Sequence, residues 1–301
     1  MRSTFEDIRQ TGSLELMAKQ LVEGFITGLH KSPYHGFSVE FAEHRLYNEG
    51  QSTRHIDWKV FARTDRLYTK QYEEETNLRC LLVIDGSPSM YYPKESKAKI
   101  KFSVYAAAAL AYLLHKQRDA VGVSLFSDRI EELTPIKSSS IHLNKLFTLL
   151  ENRLALQPPV VGTRVANVLH EIAEKIHKRS LVILFSDMFE DTNDHEGIFK
   201  ALQHLKHNKH EVLLFHVTDH ATELNFTFSE RPYEFIDLES GEKLKLNPAD
   251  IKEKYEVELN RLHAELKMRC HQLKIDFVSV DAQKDYYEVL QAYLIKREKV
   301  R

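Results

Sequence analysis

Five short aliphatic runs punctuate the chain: "CLLVID" from Cys80, "VGVSLFS" from Val121, "SLVILFSD" from Ser180, "EVLLFHVTD" from Glu211 and "IDFVSVD" from Ile275. Continuous runs of this length, without polar alternation, predict strands covered on both faces, as in parallel sheets. Helical periodicity fills the intervals. "VYAAAALAYLLH" predicts a helix buried against the sheet. Val165, Leu169, Ile172 and Ile176 mark the face of a second helix. Ile251, Tyr255, Leu259, Leu262, Leu266, Cys270 and Leu273 mark a longer one. That helix is expected to start at "NPAD", with Asn247 as cap and Pro248 at the first helical position. Tyr286, Val289, Leu290, Tyr293 and Leu294 mark a last helix, whose tail "KREKVR" puts cations at the negative end of its dipole.

Strands alternating with helices predict an α/β fold: a doubly wound, mostly parallel, Rossmann-like sheet over residues 78–301. "DRIEELTPI" reads as a short antiparallel return strand at one edge, with Asp128 a turn acid. Two stretches break the pattern. Residues 1–77 hold one helix near Leu14 to Phe25 and then strand-like segments such as "RLYTKQYEEE". Residues 219–247 read as short strands around the hairpin turn "ESGE". Both are assigned to a small β-rich appendage.

Composition narrows the function classes. The chain of 301 residues is 43% hydrophobic and 29% charged, with 42 Lys and Arg against 44 Asp and Glu, a net charge of -2. Such a balance gives no global field to recruit nucleic acid or anionic lipid. Two distant cysteines, Cys80 and Cys270, read as buried reduced thiols rather than a secreted disulfide framework. No apolar stretch is long enough to span a membrane, and the first twenty residues lack the apolar core of a secretory signal, so the expected location is cytoplasmic.

Candidate chemistry lies where strands end. Ligands of an open parallel sheet bind beyond the carboxyl ends of its strands. Asp85, Ser87 and Ser89 follow the first strand, Asp187 follows "LVILFS", and Thr163 opens a helix in "VGTRVANVL". Two carboxylates and three hydroxyls are oxygen donors. They suit a hard divalent cation, Mg²⁺ or Mn²⁺, better than zinc. With so few charged donors the metal stays electrophilic, and a carboxylate from another molecule could complete it. Other candidates are weaker. His204, His207 and His210 in "HLKHNKH" read as solvated histidines of a connection. "GSPS" lacks the glycines and lysine of a phosphate-binding loop, and no nucleophile elbow stands near it.

The order Asp-x-Ser-x-Ser, Thr, Asp resembles the metal-ion-dependent adhesion site, MIDAS, of von Willebrand factor A domains. The resemblance implies Ser87, Ser89 and Thr163 as direct ligands, with Asp85 and Asp187 acting partly through water. A second resemblance lies in "EFAEHRLYNEGQSTRHIDWKVFARTDRLYTKQYEEE", Glu40 to Glu75. Its Arg45, Tyr47, Gly50, Arg54, Ile56, Asp57, Trp58, Ala62 and Arg63 match the signature of the DUF58 family, and "FIDLESGEKLKL" resembles that family's insertion. Arg54, Asp57, Trp58 and Arg63 read first as a structural lock. The family has no established reaction, and its members are commonly encoded beside MoxR-type AAA+ ATPases. The resulting expectation is a non-enzymatic, metal-dependent adaptor. Its partner would be a protein offering an Asp or Glu, a MoxR-type ATPase or its client. The alternative is a Mg²⁺-dependent hydrolase or phosphoryl-transfer enzyme, for which no base or nucleophile stands out beyond the ligands themselves.

Overall fold

A computed structural model describes residues 13–30, 44–46, 61–63, 68–70, 78–157, 164–188, 195–229, 231–238, 241–284 and 286–300. The chain divides into two compact units. One comprises the residues up to Phe25 together with those from Leu78 onward, and the other is Ile26–Asn77. In the smaller unit, β1 (His44–Leu46) pairs antiparallel with β2 (Tyr68–Lys70), His44 opposite Lys70.

The larger unit is built on six strands: β3 (Arg79–Asp85), β4 (Ala120–Phe126), β5 (Ile130–Leu133), β6 (Leu181–Ser186), β7 (Glu211–Thr218) and β10 (Asp276–Asp281). Their spatial order is β10-β7-β6-β3-β4-β5. Every pairing is parallel except β4 with β5, the edge return expected from "DRIEELTPI". All five aliphatic runs are strands. β6 is buried throughout, and so is β3 from Cys80 onward, which explains the missing polar alternation. The edge strand β10 is only half-buried.

Alternate residues face opposite layers. Leu81, Val83, Val182, Leu184, Val212 and Leu214 share one core cluster with Val168, Leu169 and Ile172 of α4 (Val165–Lys175) and Ile198, Leu202 and Leu205 of α5 (His195–His207). Cys270 of α6 (Pro248–Gln272) closes it. The other layer holds α2 (Ala98–Lys116), which packs on β3 and β4, with α3 (Ser140–Ala155) and α7 (Tyr287–Val300) against it. Its Ala106 to Ala109 run is wholly buried, the small side chains allowing close approach to the sheet. The first helix, α1 (Leu14–His30), buries Leu14, Met17, Ala18, Val22 and Phe25, and the Phe25 ring meets Tyr287 of α7 at 5.0 Å. The architecture is thus the doubly wound α/β sheet expected, and both cysteines are buried thiols outside any disulfide. Among the described residues no helix is long and apolar enough to cross a membrane.

Local readings differ in three places. The stretch after β7 begins with a helical turn, His220–Leu224, and strands appear only at β8 (Tyr233–Ile236) and β9 (Lys243–Leu246). Asp219 caps that turn by accepting from the Thr222 N–H at 3.0 Å, and Glu223 Oε2 takes the Asp219 N–H at 2.7 Å. This reciprocal capping holds "DHATE" helical. Asn247 does stand at the N-cap of α6 with Pro248 inside it, but its side chain makes no capping bond. His210 is not solvated. It is fully buried ahead of β7, where its Nδ1 meets the Ser180 N–H at 3.3 Å. In the same connection His204 meets Nδ1 of His170 at 2.9 Å and Glu174 at 2.8 Å.

Candidate functional site at the sheet's switch point

Chain connections run from β3 outward to β4 on one side and return to β6 on the other. The carboxyl ends of β3 and β6 therefore flank the place where strand order reverses, where ligands of such sheets bind. Asp85 is the last residue of β3, and Ser186 is the last of β6. Asp85 is fully buried. Its Oδ1 accepts the Ser87 N–H at 2.9 Å, and its Oδ2 accepts the Ser186 hydroxyl at 2.6 Å. The Ser186 Oγ in turn accepts the Met188 N–H at 2.8 Å, which sets the course of the chain past Asp187. Ser87 and Ser89 bring their hydroxyls to 3.0 Å of each other as the chain enters a single 3-10 turn, Pro88–Tyr91.

Asp187 is buried too, and its Oδ2 binds Lys99 Nζ at 2.8 Å. The same ammonium binds Glu223 Oε1 at 2.6 Å and lies 5.8 Å from the centre of the Tyr92 ring. Lys99 sits in the first turn of α2, where the helix dipole disfavours a cation, and its side chain is fully buried. Burial opposes its charge, but Asp187 and Glu223 more than offset this and hold the ammonium above the ordinary lysine range. Asp85 is raised as well, but for an acid that disfavours the charged form. Burial, and next the charge of Asp187, push it up to about 7 against the hydrogen bonds from Ser186 and Ser87. The site thus sets two carboxylates, Asp187 and Glu223, on one ammonium, with the Asp85 carboxyl coupled to Asp187.

On the flank of the Asp85 loop, Arg153 of α3 is buried; its Nη2 donates to the Gly86 carbonyl at 2.7 Å, and its Nη1 pairs with Glu131. A Cβ added at Gly86 would lie 1.7 Å from Arg153 Nη2. A guanidinium end can normally move aside, but here that means breaking both contacts in a buried place. Gly86→Ala is therefore expected to lower stability by about 2 kcal/mol, the scale of overpacking a tight site. An unchanged urea midpoint would show that Arg153 yields freely.

Of the five residues singled out from sequence, Asp85, Ser87, Ser89 and Asp187 stand at these two strand ends. Thr163 lies outside the described residues, as do Arg54, Asp57 and Trp58; Arg63 is described and exposed. Lys99, Ser186, Arg153 and Glu223 were not among the sequence candidates. Among the described residues no group of three or more His, Cys, Asp and Glu converges as metal ligands. The donors assembled here are carboxylates interleaved with hydroxyls.

Comparison with known proteins adds a family. The model described as "Protein of unknown function DUF58" matches residues 43–265. An uncharacterized protein of Mycobacterium tuberculosis is 26% identical over 209 residues, covering 69% of this chain and 63% of that protein. The chain thus matches less than two thirds of that relative's length. Among solved structures, BatB from Bacteroides thetaiotaomicron superposes with a TM-score of 0.46 at 12% identity, over 74% of this chain and 99% of that one. The SpRpn10 VWA domain gives a TM-score of 0.39 at 10% identity, over 71% and 94% of the two chains.

Proposed function

The chain belongs to the DUF58 family, and from that premise we propose that its switch-point site is a non-enzymatic, divalent-metal-dependent protein-binding site. The observation that carries the reading is the pair of buried carboxylates at adjoining strand ends, Asp85 and Asp187, with the Ser87 and Ser89 hydroxyls beside them. Asp85 is pushed up to about 7 because its charge is buried near that of Asp187. A divalent cation would relieve that repulsion, and the hard oxygen donors suit Mg²⁺ or Mn²⁺. The donor set therefore fits the metal that the MIDAS resemblance implies. Asp85, Ser87, Ser89 and Asp187 would hold it, with Thr163 from the following loop.

When bound, the metal would supply an electrophilic position for an acidic side chain of a partner. The chain's own groups do the rest. Ser186 and the Ser87 N–H orient Asp85, and Lys99 holds Asp187 toward Glu223. The family resemblance points to a MoxR-type AAA+ ATPase or its client as the partner. Lys99 is committed to its two acids, Asp187 and Glu223. Calorimetry with Mg²⁺ and Mn²⁺ tests the site. One saturable site is expected in the wild type, lost in Asp85→Ala. Equal affinity in the two proteins would refute the assignment. Partner capture should then fail in EDTA at constant salt, whereas capture that survives EDTA and fails only at raised salt would indicate surface charge instead.

A further inference from the structure

A cavity of about 100 Å³ opens on the α5 and α6 side of the sheet, behind the acidic site. Its wall is mostly apolar, made by Ile198 and Phe199 of α5 and by Leu259, Leu262 and Leu266 of α6. The three leucines follow helical spacing and are each only partly buried, so the mouth lies along α6. For scale, an apolar cavity of roughly 150 Å³ accommodates benzene. A single ring with its edge at the mouth is the size of group this space admits.

Six polar side chains interrupt the apolar wall: the carboxylates of Asp187, Glu223 and Glu265, and His216 and Thr218 of β7 with His263 of α6. His216 and Thr218 are two apart in a strand and so share a face. The His216 and His263 rings lie 5.4 Å apart. His216 Nε2 faces the Asp187 carbonyl at 2.9 Å and must donate to it, which leaves Nδ1 of the neutral ring as an acceptor. That Nδ1 is buried without a hydrogen-bond partner among the described residues, and so are Thr218 Oγ1 and His263 Nε2. His216 is 7% exposed and Thr218 1%. Buried polar atoms are nearly always paired in folded proteins, so three unpartnered ones lining one apolar cavity mark a place built for polar contact. A metal ion is a poor fit. The wall is mostly apolar, the Asp187 and Glu223 carboxylates in it are engaged by Lys99, and among the described residues no group of three ligating side chains converges.

We propose that this cavity binds a phenol-class group, a single neutral ring bearing one hydroxyl donor, with the hydroxyl toward His216 Nδ1 and Thr218. The ring would lie among Phe199, Leu262 and Leu266. The same chemistry has two sources, a free phenolic compound and the tyrosine side chain of a bound protein. This assignment does not depend on metal at the acidic site, and its test is run in EDTA so that the two stand or fall separately.

The probe is p-cresol, followed by ligand-observed NMR against the full chain, with toluene as the ring lacking a donor. Saturable p-cresol binding is expected, on the order of tenfold tighter than toluene, the worth of one hydrogen bond to an otherwise unpaired acceptor. His216→Leu should bind the two rings equally. Leu262→Trp, which fills the space, should lose both, and Leu259→Phe serves as a second filler if the first does not fold. N-acetyltyrosinamide separates the sources. Binding as tight as p-cresol indicates a protein side chain, and exclusion with p-cresol retained indicates a free compound. The proposal is overturned if the wild type shows no saturable p-cresol binding, if His216→Leu keeps the preference for p-cresol, or if both folded fillers bind like the wild type.

Discussion

Lys99→Met is expected to destabilise the metal-free protein by about 3–5 kcal/mol, because it leaves carboxylates buried without their cation. Asp187 and Lys99 have no exposed side-chain surface at all, and Glu223 is 16% exposed. Methionine keeps the length and apolar contacts of the lysine stem, so the loss reports charge rather than packing. Urea melts in EDTA measure it. The same variant should be stabilised by Mg²⁺ more than the wild type is, since Asp187 no longer has an ammonium to hold it. Lys99→Met combined with Asp187→Asn should recover part of the loss in EDTA and forfeit the gain from Mg²⁺. A Lys99→Met midpoint equal to that of the wild type would mean that the ammonium does not stabilise the two acids. A Mg²⁺ effect identical in the two proteins would mean that lysine and metal do not compete for Asp187.

How far the sequence reveals this site follows from the kind of signal each residue leaves. Asp85 and Asp187 were legible because an acid at the end of a fully buried strand is a sharp break in pattern. The strands were legible for the same reason, since burial on both faces writes itself as an unbroken aliphatic run. Lys99 leaves the opposite trace. It stands in "KESKAKIK", among four other lysine or glutamate side chains, and reads as part of a solvated run. Only its place in the first turn of α2, with the adjoining Ile100 and Phe102 buried, turns it inward. Glu223 was hidden by a misread element. Its stretch resembles strand by composition, but Asp219 and Glu223 cap each other and close a helical turn that carries the second acid to Lys99. Tyr255 of α6 then holds that turn by donating to the Glu223 carbonyl at 3.0 Å. Ser186 and Arg153 act through contacts 101 and 67 residues away in sequence, which no local pattern encodes. His216 sits inside the aliphatic run "EVLLFHVTD", where it looks like a tolerated core residue. Only the topology shows that it supports the Asp187 carbonyl.

His216 and Asp85 should tilt the pH profile of stability in opposite directions, and single variants should separate them. Burial, and next the charge of His263, lower His216 to about 4 from an ordinary 6.5. For a base held low in the fold, the unfolded chain binds more protons between those values. Its stability contribution is therefore complete above pH 6.5 and is lost as pH falls through 4, a change of about 3 kcal/mol. Asp85 is an acid held high, at about 7 against an ordinary 3.8. Its contribution is complete below pH 3.8 and is lost as pH rises through 7, a change of about 4 kcal/mol by the same linkage. In EDTA the wild type should thus show a shallow profile between pH 7 and pH 4.5, the two effects partly cancelling. His216→Leu should become more stable relative to the wild type on acidification, because the His216 effect is gone while that of Asp85 stays. Asp85→Asn should become less stable relative to the wild type over the same interval. Glu211 does not interfere. Burial works against its charge, but Lys296 and Lys206 outweigh that and hold it below the usual glutamate range, and being the same in all three proteins it drops out of the comparison. Urea unfolding of the three proteins at pH 7, 6, 5 and 4.5 measures the effect. Parallel profiles for all three would mean that neither group is held away from its ordinary titration. A His216→Leu profile falling as steeply as that of Asp85→Asn would mean that His210, which burial also lowers, carries the acid response instead.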